Sequence, residues 1–314
     1  ATRGGKARFA VQVGHCSRSV GADRVLAALT ASLPEWAYLV VAGCDGACFR
    51  APQVVISDPS GRTRRFGRVT PEEARRLPDG YDETSAEDGG RFLRKQRRVA
   101  LSDCGELDCV DIDDYVSRGG YAGLARSLQM GPEEVVAQVK SSGLRGRGGA
   151  YFPTGVKWEG ARNARGSPTY LIVNSEEGEP GIFKDRHLME GVPHRIVEGA
   201  IIAAYGSGAG HAYVYVNAEA NLSAQRMEHA IRQAYDRGLL GADILGSGFG
   251  LEMEVRRGAG GYVCGEETTL LNTMEGYRRE PRLRPPFPTE SGLWSKPTVI
   301  NNAETLASVP FILA

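Results

Sequence analysis

The sequence predicts an α/β protein built in two parts, and three observations carry that expectation. At 314 residues the chain has the length of about two domains, each large enough for its own core. Residues 1–78 read as the element order βαβββα. From Tyr170 onward, short apolar strands alternate with helical segments, as they do in a sheet whose strands are joined by helices.

Arg8–Val13 alternates in polarity as a short strand. Gly21–Leu33 places Val25, Leu26, Leu29 and Leu33 on one helical face, and Pro34 stops it. Ala37–Val41 is an apolar strand, followed by a turn-rich loop over Gly43–Pro52. Gln53–Ile56 and Arg64–Val69 make a hairpin across Asp58-Pro-Ser-Gly61. Thr70-Pro-Glu-Glu73 carries the N-cap, first-turn proline and third-position glutamate of a capping box, opening a helix to Leu77. That order suits a small thioredoxin-like domain over 1–78. Pro78–Gly90 is acidic and glycine-rich and Arg91–Arg98 is basic, so 79–103 reads as a linker. Asp111–Leu128 and Pro132–Ser142 read as helices. Strands follow at Tyr170–Val173, Ala212–Val216 and Leu251–Val255, with helices at Val192–Tyr205, Leu222–Arg237 and Glu266–Glu275. Open sheets of this kind bind ligands beyond the C-terminal ends of their strands.

Composition narrows the function. The 38 basic and 38 acidic residues balance, so no electrostatic footprint argues for nucleic acid. No apolar run approaches the roughly 20 residues of a membrane span, and the N-terminus is no signal peptide. A cytoplasmic location without direct membrane insertion is expected, with attachment to the periphery of a membrane complex left open. Six irregularly spaced cysteines point to redox or metal chemistry rather than a disulfide framework. The 41 glycines mark places where backbone turns or approaches a ligand.

Four motifs carry chemistry. Gly143-Leu-Arg-Gly-Arg-Gly-Gly-Ala-Tyr-Phe-Pro-Thr-Gly155, followed by Val156-Lys157-Trp158, combines flexible backbone N–H groups with positive charge. Phosphate cradles use such parts, although a mobile or RNA-binding loop has the same composition. It lacks the Gly-Lys-Ser/Thr of a P-loop and follows no strand, so neither a P-loop nor an ordinary dinucleotide fingerprint fits. Asn174-Ser-Glu-Glu-Gly-Glu-Pro-Gly181 places three carboxylates after the strand at Tyr170–Val173. Gly258-Ala-Gly-Gly-Tyr-Val-Cys-Gly-Glu-Glu-Thr268 leads from a strand through a glycine turn into a helix, where Glu266 and Glu267 also complement the helix dipole. Lys296-Pro-Thr-Val-Ile-Asn-Asn302 ends in paired amides. Gly206–Gly210 and Gly246–Gly250 are glycine-rich too, but each precedes a strand and reads as a connecting loop. The five histidines show no ligand spacing.

In this order the four motifs resemble the NADH- and FMN-binding flavoprotein subunit of respiratory NADH dehydrogenase, whose fold recurs in the diaphorase subunits of NAD-linked hydrogenases and formate dehydrogenases. The resemblance covers about Asp103 to Ala314 and implies a Rossmann-like α/β domain binding FMN and NADH over 104–314. It implies that Gly146, Arg147, Gly148, Gly149 and Lys157 line the nucleotide and flavin cavity. It places Asn174, Glu176 and Glu177 against the flavin, with Tyr262, Gly265, Glu266, Asn301 and Asn302 closing around FMN. Phe152 and Phe287 would stack on the NADH adenine, and Glu179 and Glu267 would contact NADH. A carboxylate near the adenosine ribose favours NADH over NADPH. No protein nucleophile or general base is then required, because the flavin carries the chemistry.

Three positions depart from the family pattern: Glu176 stands where aspartate is commoner, Gly160 where an aromatic is sometimes seen, and Arg284 where lysine is usual. The family's later domains, with their 4Fe-4S cluster, have no counterpart before Ala314, so the chain is expected to be a fragment or truncated form. Its N-terminal part resembles a thioredoxin-like 2Fe-2S ferredoxin. Gly43-Cys-Asp-Gly-Ala-Cys48 matches that family's second cysteine pair, whereas Val11-Gln-Val-Gly-His-Cys16 offers one cysteine of the first. Cys16, Cys44 and Cys48 are thus candidate metal ligands, one short of four thiolates, and a relic docking domain is the alternative. Cys104 and Cys109 are expected to be structural. The expected function is NADH oxidation through FMN with electrons passed to iron–sulfur partner subunits. The alternatives are the diaphorase subunit of a soluble formate dehydrogenase or hydrogenase, and a truncated non-catalytic nucleotide-binding scaffold.

Overall fold

The structure is a computed structural model that describes residues 3–80, 93 and 95–314. Most of the acidic half of the expected linker, 81–90, lies outside the described residues, as do 91, 92 and 94. The chain divides into two compact units, Ala1–Arg118 with Glu190–Val192, and Gly119–Met189 with Pro193–Ala314. The first unit therefore continues past the expected boundary at 103. Cys109 N–H donates to Val41 O at 3.0 Å, and Arg8 pairs with the buried Asp114 at 2.9 Å, which ties 104–118 to the first sheet.

In the first unit, β1 (Ala7–Gln12) runs parallel to β2 (Ala37–Ala42) and antiparallel to β3 (Gln53–Ser57), which pairs with β4 (Thr63–Gly67). The sheet order is β2-β1-β3-β4. Helix α1 (His15–Ser19) was not expected; α2 (Ala22–Ser32) connects β1 to β2, and α3 (Pro71–Arg76) follows β4. The predicted order βαβββα is thus present, with one extra helical turn. The capping box forms as expected, with Glu73 N–H donating to Thr70 Oγ1 at 3.2 Å and Thr70 N–H to Glu73 Oε2 at 2.8 Å. Phe9, Val11, Val25, Leu29, Val54 and Phe66 share one core. All six residues of β1 are buried, Arg8 and Gln12 included, because a central strand is covered on both faces and polar residues there find internal partners. Helix α4 (Ile112–Ser117) ends this unit.

The second unit opens with α5 (Ala122–Ser127), α6 (Pro132–Ser141) and α7 (Thr154–Arg162). Its sheet is wholly parallel: β5 (Tyr170–Ser175), β6 (His211–Val216), β7 (Glu252–Arg257) and β8 (Thr298–Asn302), in the order β7-β6-β5-β8. Between β5 and β6 run α8 (Lys184–Gly191) and α9 (Pro193–Ser207); α10 (Asn221–Asp236) joins β6 to β7. Helices α11 (Glu267–Met274) and α12 (Pro288–Ser291) precede β8, and α13 (Ala303–Ser308) and α14 (Pro310–Leu313) follow it. Helix α9 is buried along most of its length, so its apolar residues surround the axis instead of forming one stripe. From β5 the chain builds outward to β6 and β7 on one side and returns to β8 on the other. That reversal puts the topological switch point between β5 and β8. Strand β8 was read from sequence only as an apolar step before two asparagines. No helix among the described residues is long and apolar enough to cross a membrane.

Candidate functional site

The glycine-rich loop enters from α6 and is pinned at its base by two backbone bonds, Gly146 N–H to Phe152 O and Thr154 N–H to Leu144 O, both 2.9 Å. Gly149 has φ +115, which an L side chain rarely adopts. Arg147 N–H donates to Thr305 Oγ1 at 2.9 Å, and a Cβ on Gly148 would sit 3.2 Å from Asn302 Cβ. The loop backbone therefore lies against the end of β8. The Arg145 and Arg147 guanidiniums stand 5.2 and 5.7 Å from the Tyr151 ring centroid. The loop leads into α7, where Lys157 Nζ donates to Ile300 O at 3.0 Å and pairs with Glu267 at 3.4 Å. The next residue, Trp158, is fully buried and donates from Nε1 to Asn301 Oδ1 at 2.7 Å, fixing that amide.

Beyond β5 the three acidic residues have three different roles. Glu176 is buried; Asn217 Nδ2 donates to its Oε1 at 2.6 Å, while its Oε2 has no hydrogen-bond partner. Burial pushes the Glu176 carboxyl up to about 7, against the Asn217 hydrogen bond and with added repulsion from Glu179 and Glu219. A Cβ on Gly258 would meet Glu176 Oε2 at 2.7 Å and Tyr215 Oη at 3.1 Å, and that hydroxyl is also unpartnered. Glu177 uses both oxygens to accept from Asp185 N–H (2.8 Å) and Arg186 N–H (2.9 Å), capping the start of α8. Glu179 is exposed.

Asn174 Nδ2 donates to Gly265 O at 2.8 Å, joining β5 to the turn Tyr262–Gly265. Tyr262 is 65% exposed, with its ring in solvent. Glu266 caps α11: its Oε2 accepts from the N–H and hydroxyl of both Thr268 and Thr269 at 2.6–3.2 Å. Burial opposes this charge, but those hydrogen bonds outweigh it and hold the carboxyl below its usual range. At β8, Asn302 accepts from Lys184 Nζ at 3.0 Å and donates to Asp185. Burial drives Asp185 up to about 6 despite the neighbouring Lys184 cation. Burial disfavours the Lys184 ammonium, yet Asp185 and Glu304 more than compensate and raise it. Lys184, Asp185, Asn217 and Tyr215 were not anticipated, their only signal being position beside the acidic loop or at the ends of apolar runs; Trp158 closes the glycine-loop motif, but its bond to Asn301 was not foreseen.

A cavity of about 400 Å³ opens between the glycine loop and the α11–α12 region. Phe152, Lys157, Gly160, Glu267, Arg284 and Phe287 are among the residues that line it. Arg284 Nη1 lies 2.7 Å from Glu267 Oε1, so this carboxylate is shared by two cations. Phe152 and Phe287 are each about half exposed (48% and 52%), so their rings are open to a planar group. Of the expected nucleotide contacts, Glu179 does not line the cavity; the other three do. Gly206–Gly210 and Gly246–Gly250 lie at the N-terminal ends of β6 and β7, away from the switch point. His194 is held by Tyr121 Oη and Gln233 Oε1 at 2.8 and 3.0 Å, as a structural residue.

In the first unit, Cys44 Sγ and Cys48 Sγ are 3.9 Å apart and unbonded. Burial pushes the Cys44 thiol up. Cys16, the third candidate ligand, is exposed on α1, whose neighbouring Ser17 is the buried residue.

Residues 139–311, more than half of the chain, match the family described as the Nuo51 FMN-binding domain. The chain is 50% identical over 220 residues to the NADP-reducing hydrogenase subunit HndC of Solidesulfovibrio fructosivorans, covering 70% of this chain and 45% of that protein. It is 52% identical over 203 residues to an NADH-quinone oxidoreductase subunit of Aquifex aeolicus, covering 65% and 47%. The crystal structure of an NAD+-reducing NiFe-hydrogenase in the H2-reduced state superimposes with a TM-score of 0.58 at 27% identity, over 99% of this chain and 53% of that one. The chain spans about half the length of these relatives.

Proposed function

This chain belongs to the Nuo51 FMN-binding domain family, and on that premise we propose that it is the NADH-oxidising flavoprotein module of a multi-subunit oxidoreductase. One observation carries the reading: the C-terminal end of the parallel sheet carries a buried acid with an unpartnered oxygen after β5, beside β6, and a glycine loop and a cation-lined cavity beside β8. The donor set fits FMN. Glu176 Oε2 and Tyr215 Oη lack partners in a space that glycine at 258 keeps open. Backbone N–H groups from Gly148 and Gly149, with Lys157, Asn174 and Asn301, supply donors for the flavin and its phosphate, and Asn302, tied to Lys184 and Asp185, closes the site beside them. Gly146, Arg147, Gly265, Glu266 and Tyr262 shape the rim, and Glu177 holds the start of α8 beneath it.

When bound, the flavin takes a hydride from nicotinamide and returns electrons singly, which calls for iron–sulfur partner subunits. The protein binds and orients. Phe152 and Phe287 sandwich the adenine, while Lys157 and Arg284 hold Glu267 in place to accept from a ribose hydroxyl. Glu179, exposed and outside the cavity lining, meets the dinucleotide only when the ligand reaches beyond the cavity.

A diaphorase within a soluble NAD-linked hydrogenase or formate dehydrogenase is the second reading. It is favoured by the match of both units, 99% of this chain, to a single chain of the NAD+-reducing hydrogenase. Gel filtration of the purified chain after incubation with FMN tests the flavin site. Co-eluting flavin absorbance, bleached by NADH and restored by ferricyanide, is the expected result. Protein that elutes without flavin overturns the proposal and leaves a nucleotide-binding scaffold.

A further inference from the structure

The Cys44–Cys48 pair has no part in the flavin reading, and it does not fit the cluster its resemblance implies. A 2Fe-2S cluster takes four protein ligands, ordinarily thiolates. Here two sulfurs lie 3.9 Å apart, and with Cys16 the motif supplies three cysteines where the cluster takes four. The surroundings are instead a buried amide and acid network. Gln12 Oε1, at the end of β1, accepts from Asp45 N–H at 3.2 Å and from Gln53 Nε2 at 2.9 Å. Asp45 Oδ1 accepts from Ala47 N–H at 2.9 Å and from Gln53 Nε2 at 3.1 Å. Gln12, Asp45 and Gln53 are all buried, so the backbone of residues 44–48 is held in one turn with both sulfurs on it.

We infer that Cys44 and Cys48 form a reversible dithiol–disulfide couple, in which Cys48 attacks a low-molecular-weight disulfide and Cys44 resolves the product. Cys48 is partly exposed, beside the 59%-exposed Phe49, whereas Cys44 is buried and accepts from Gly46 N–H. Access therefore decides which thiol reacts first. Cys48 thiolate attacks one sulfur of the small disulfide, a mixed disulfide forms, and one small thiolate leaves. Cys44 then attacks Cys48 Sγ, the intramolecular bond forms, and the second small thiolate leaves. Two protein thiols are oxidised, one small disulfide is reduced to two thiols, and the two protons released by the protein go to the leaving thiolates. Closing the gap from 3.9 Å to the roughly 2.05 Å of a disulfide asks for side-chain rotation within the existing turn.

The test equilibrates the full chain with oxidised and reduced glutathione, alkylates the remaining thiols and maps the peptides by mass. The expected result is a Cys44–Cys48 bond that appears with rising oxidant and reverses with dithiothreitol. In C44S, glutathione should accumulate on Cys48; in C48S, Cys44 should react about tenfold more slowly than Cys48 does in the intact chain. Circular dichroism reports whether each variant folds, and if one does not, the map of the unaltered chain decides alone. Two thiols still alkylatable at the highest oxidant ratio overturn the inference, as does a bond from Cys48 to any other cysteine. An electron paramagnetic resonance signal after loading with ferrous iron and sulfide and reduction with dithionite, abolished in C44S, also overturns it and restores the cluster.

Discussion

Both sheets place polar side chains beyond the C-terminal ends of parallel strands, β1 and β2 in the first unit and β5 and β8 in the second. In the first, Gln12, Asp45 and Gln53 hydrogen-bond to one another, and only Asp45 Oδ2 is left over, 3.9 Å from Arg65. In the second, Glu176 Oε2 and Tyr215 Oη are buried without partners, and Glu267 is divided between two cations lining a cavity. A buried polar group left unsatisfied costs about 1–3 kcal/mol, so a site that keeps two of them is built for something not of the chain. A network that satisfies its own members holds backbone. The difference separates a place for a ligand from a place where the fold is fastened.

The strongest break in that contrast comes at Lys157. Lys157→Ala removes a bond to Ile300 O and one of the two cations on Glu267. Hydrogen bonds to charged groups contribute about 1.5–3 kcal/mol, so NADH affinity should fall roughly 10- to 100-fold by isothermal titration. Freeing the Ile300 carbonyl, in a buried residue, should also cost about 1–3 kcal/mol, a fall of a few degrees in thermal midpoint. An affinity within twofold of the parent would mean that the cavity is not the nucleotide site.

Gln12→Leu tests the other side. It strips the shared acceptor from Asp45 N–H and Gln53 Nε2, both buried, and should cost about 1–3 kcal/mol in urea unfolding. Flavin retention should be unchanged. Loss of flavin without loss of stability would reverse the assignment of roles to the two regions.

Glu177→Ala is a smaller change that sharpens the comparison inside the second site. The sequence alone could not tell Glu176 from Glu177, adjacent and chemically alike. In the fold, both Glu177 oxygens cap α8, so its loss should cost about 1 kcal/mol, as helix caps do. If FMN affinity falls while stability does not, Glu177 is a flavin contact instead of a cap.

That pair shows what was legible and what was not. The strand–loop order, the capping box at Thr70 and the placement of the motifs at strand ends follow from local periodicity and turn chemistry, which neighbouring residues determine. Strand β8 was missed because Thr298–Asn302 is short, buried and parallel, without the alternation that marks a half-exposed strand. Lys184 and Asp185 were missed because their meeting with Asn302 spans more than a hundred residues. The division of 104–118 to the first unit depended on the buried Arg8–Asp114 pair, which no local pattern announces.

The last prediction, a slope against pH instead of a single loss, speaks to the unpartnered acid directly. In the folded chain the Glu176 carboxyl is pushed up to about 7 from its ordinary 4.5, chiefly by burial. The folded state therefore keeps a proton that the unfolded chain releases. Stability from this group is fully present below about 4.5, declines as pH rises, and is lost once pH passes about 7. Glu176→Gln is neutral throughout and still offers an oxygen to Asn217 Nδ2, so that slope should vanish. Asp185 titrates in the same window, but it is common to both proteins and cancels in their difference. Measured without flavin, the thermal midpoint of Glu176→Gln relative to the parent should rise between pH 5 and pH 8 by a few degrees. Parallel curves across that range would mean that Glu176 reaches solvent, and its unpartnered oxygen would no longer mark a ligand site.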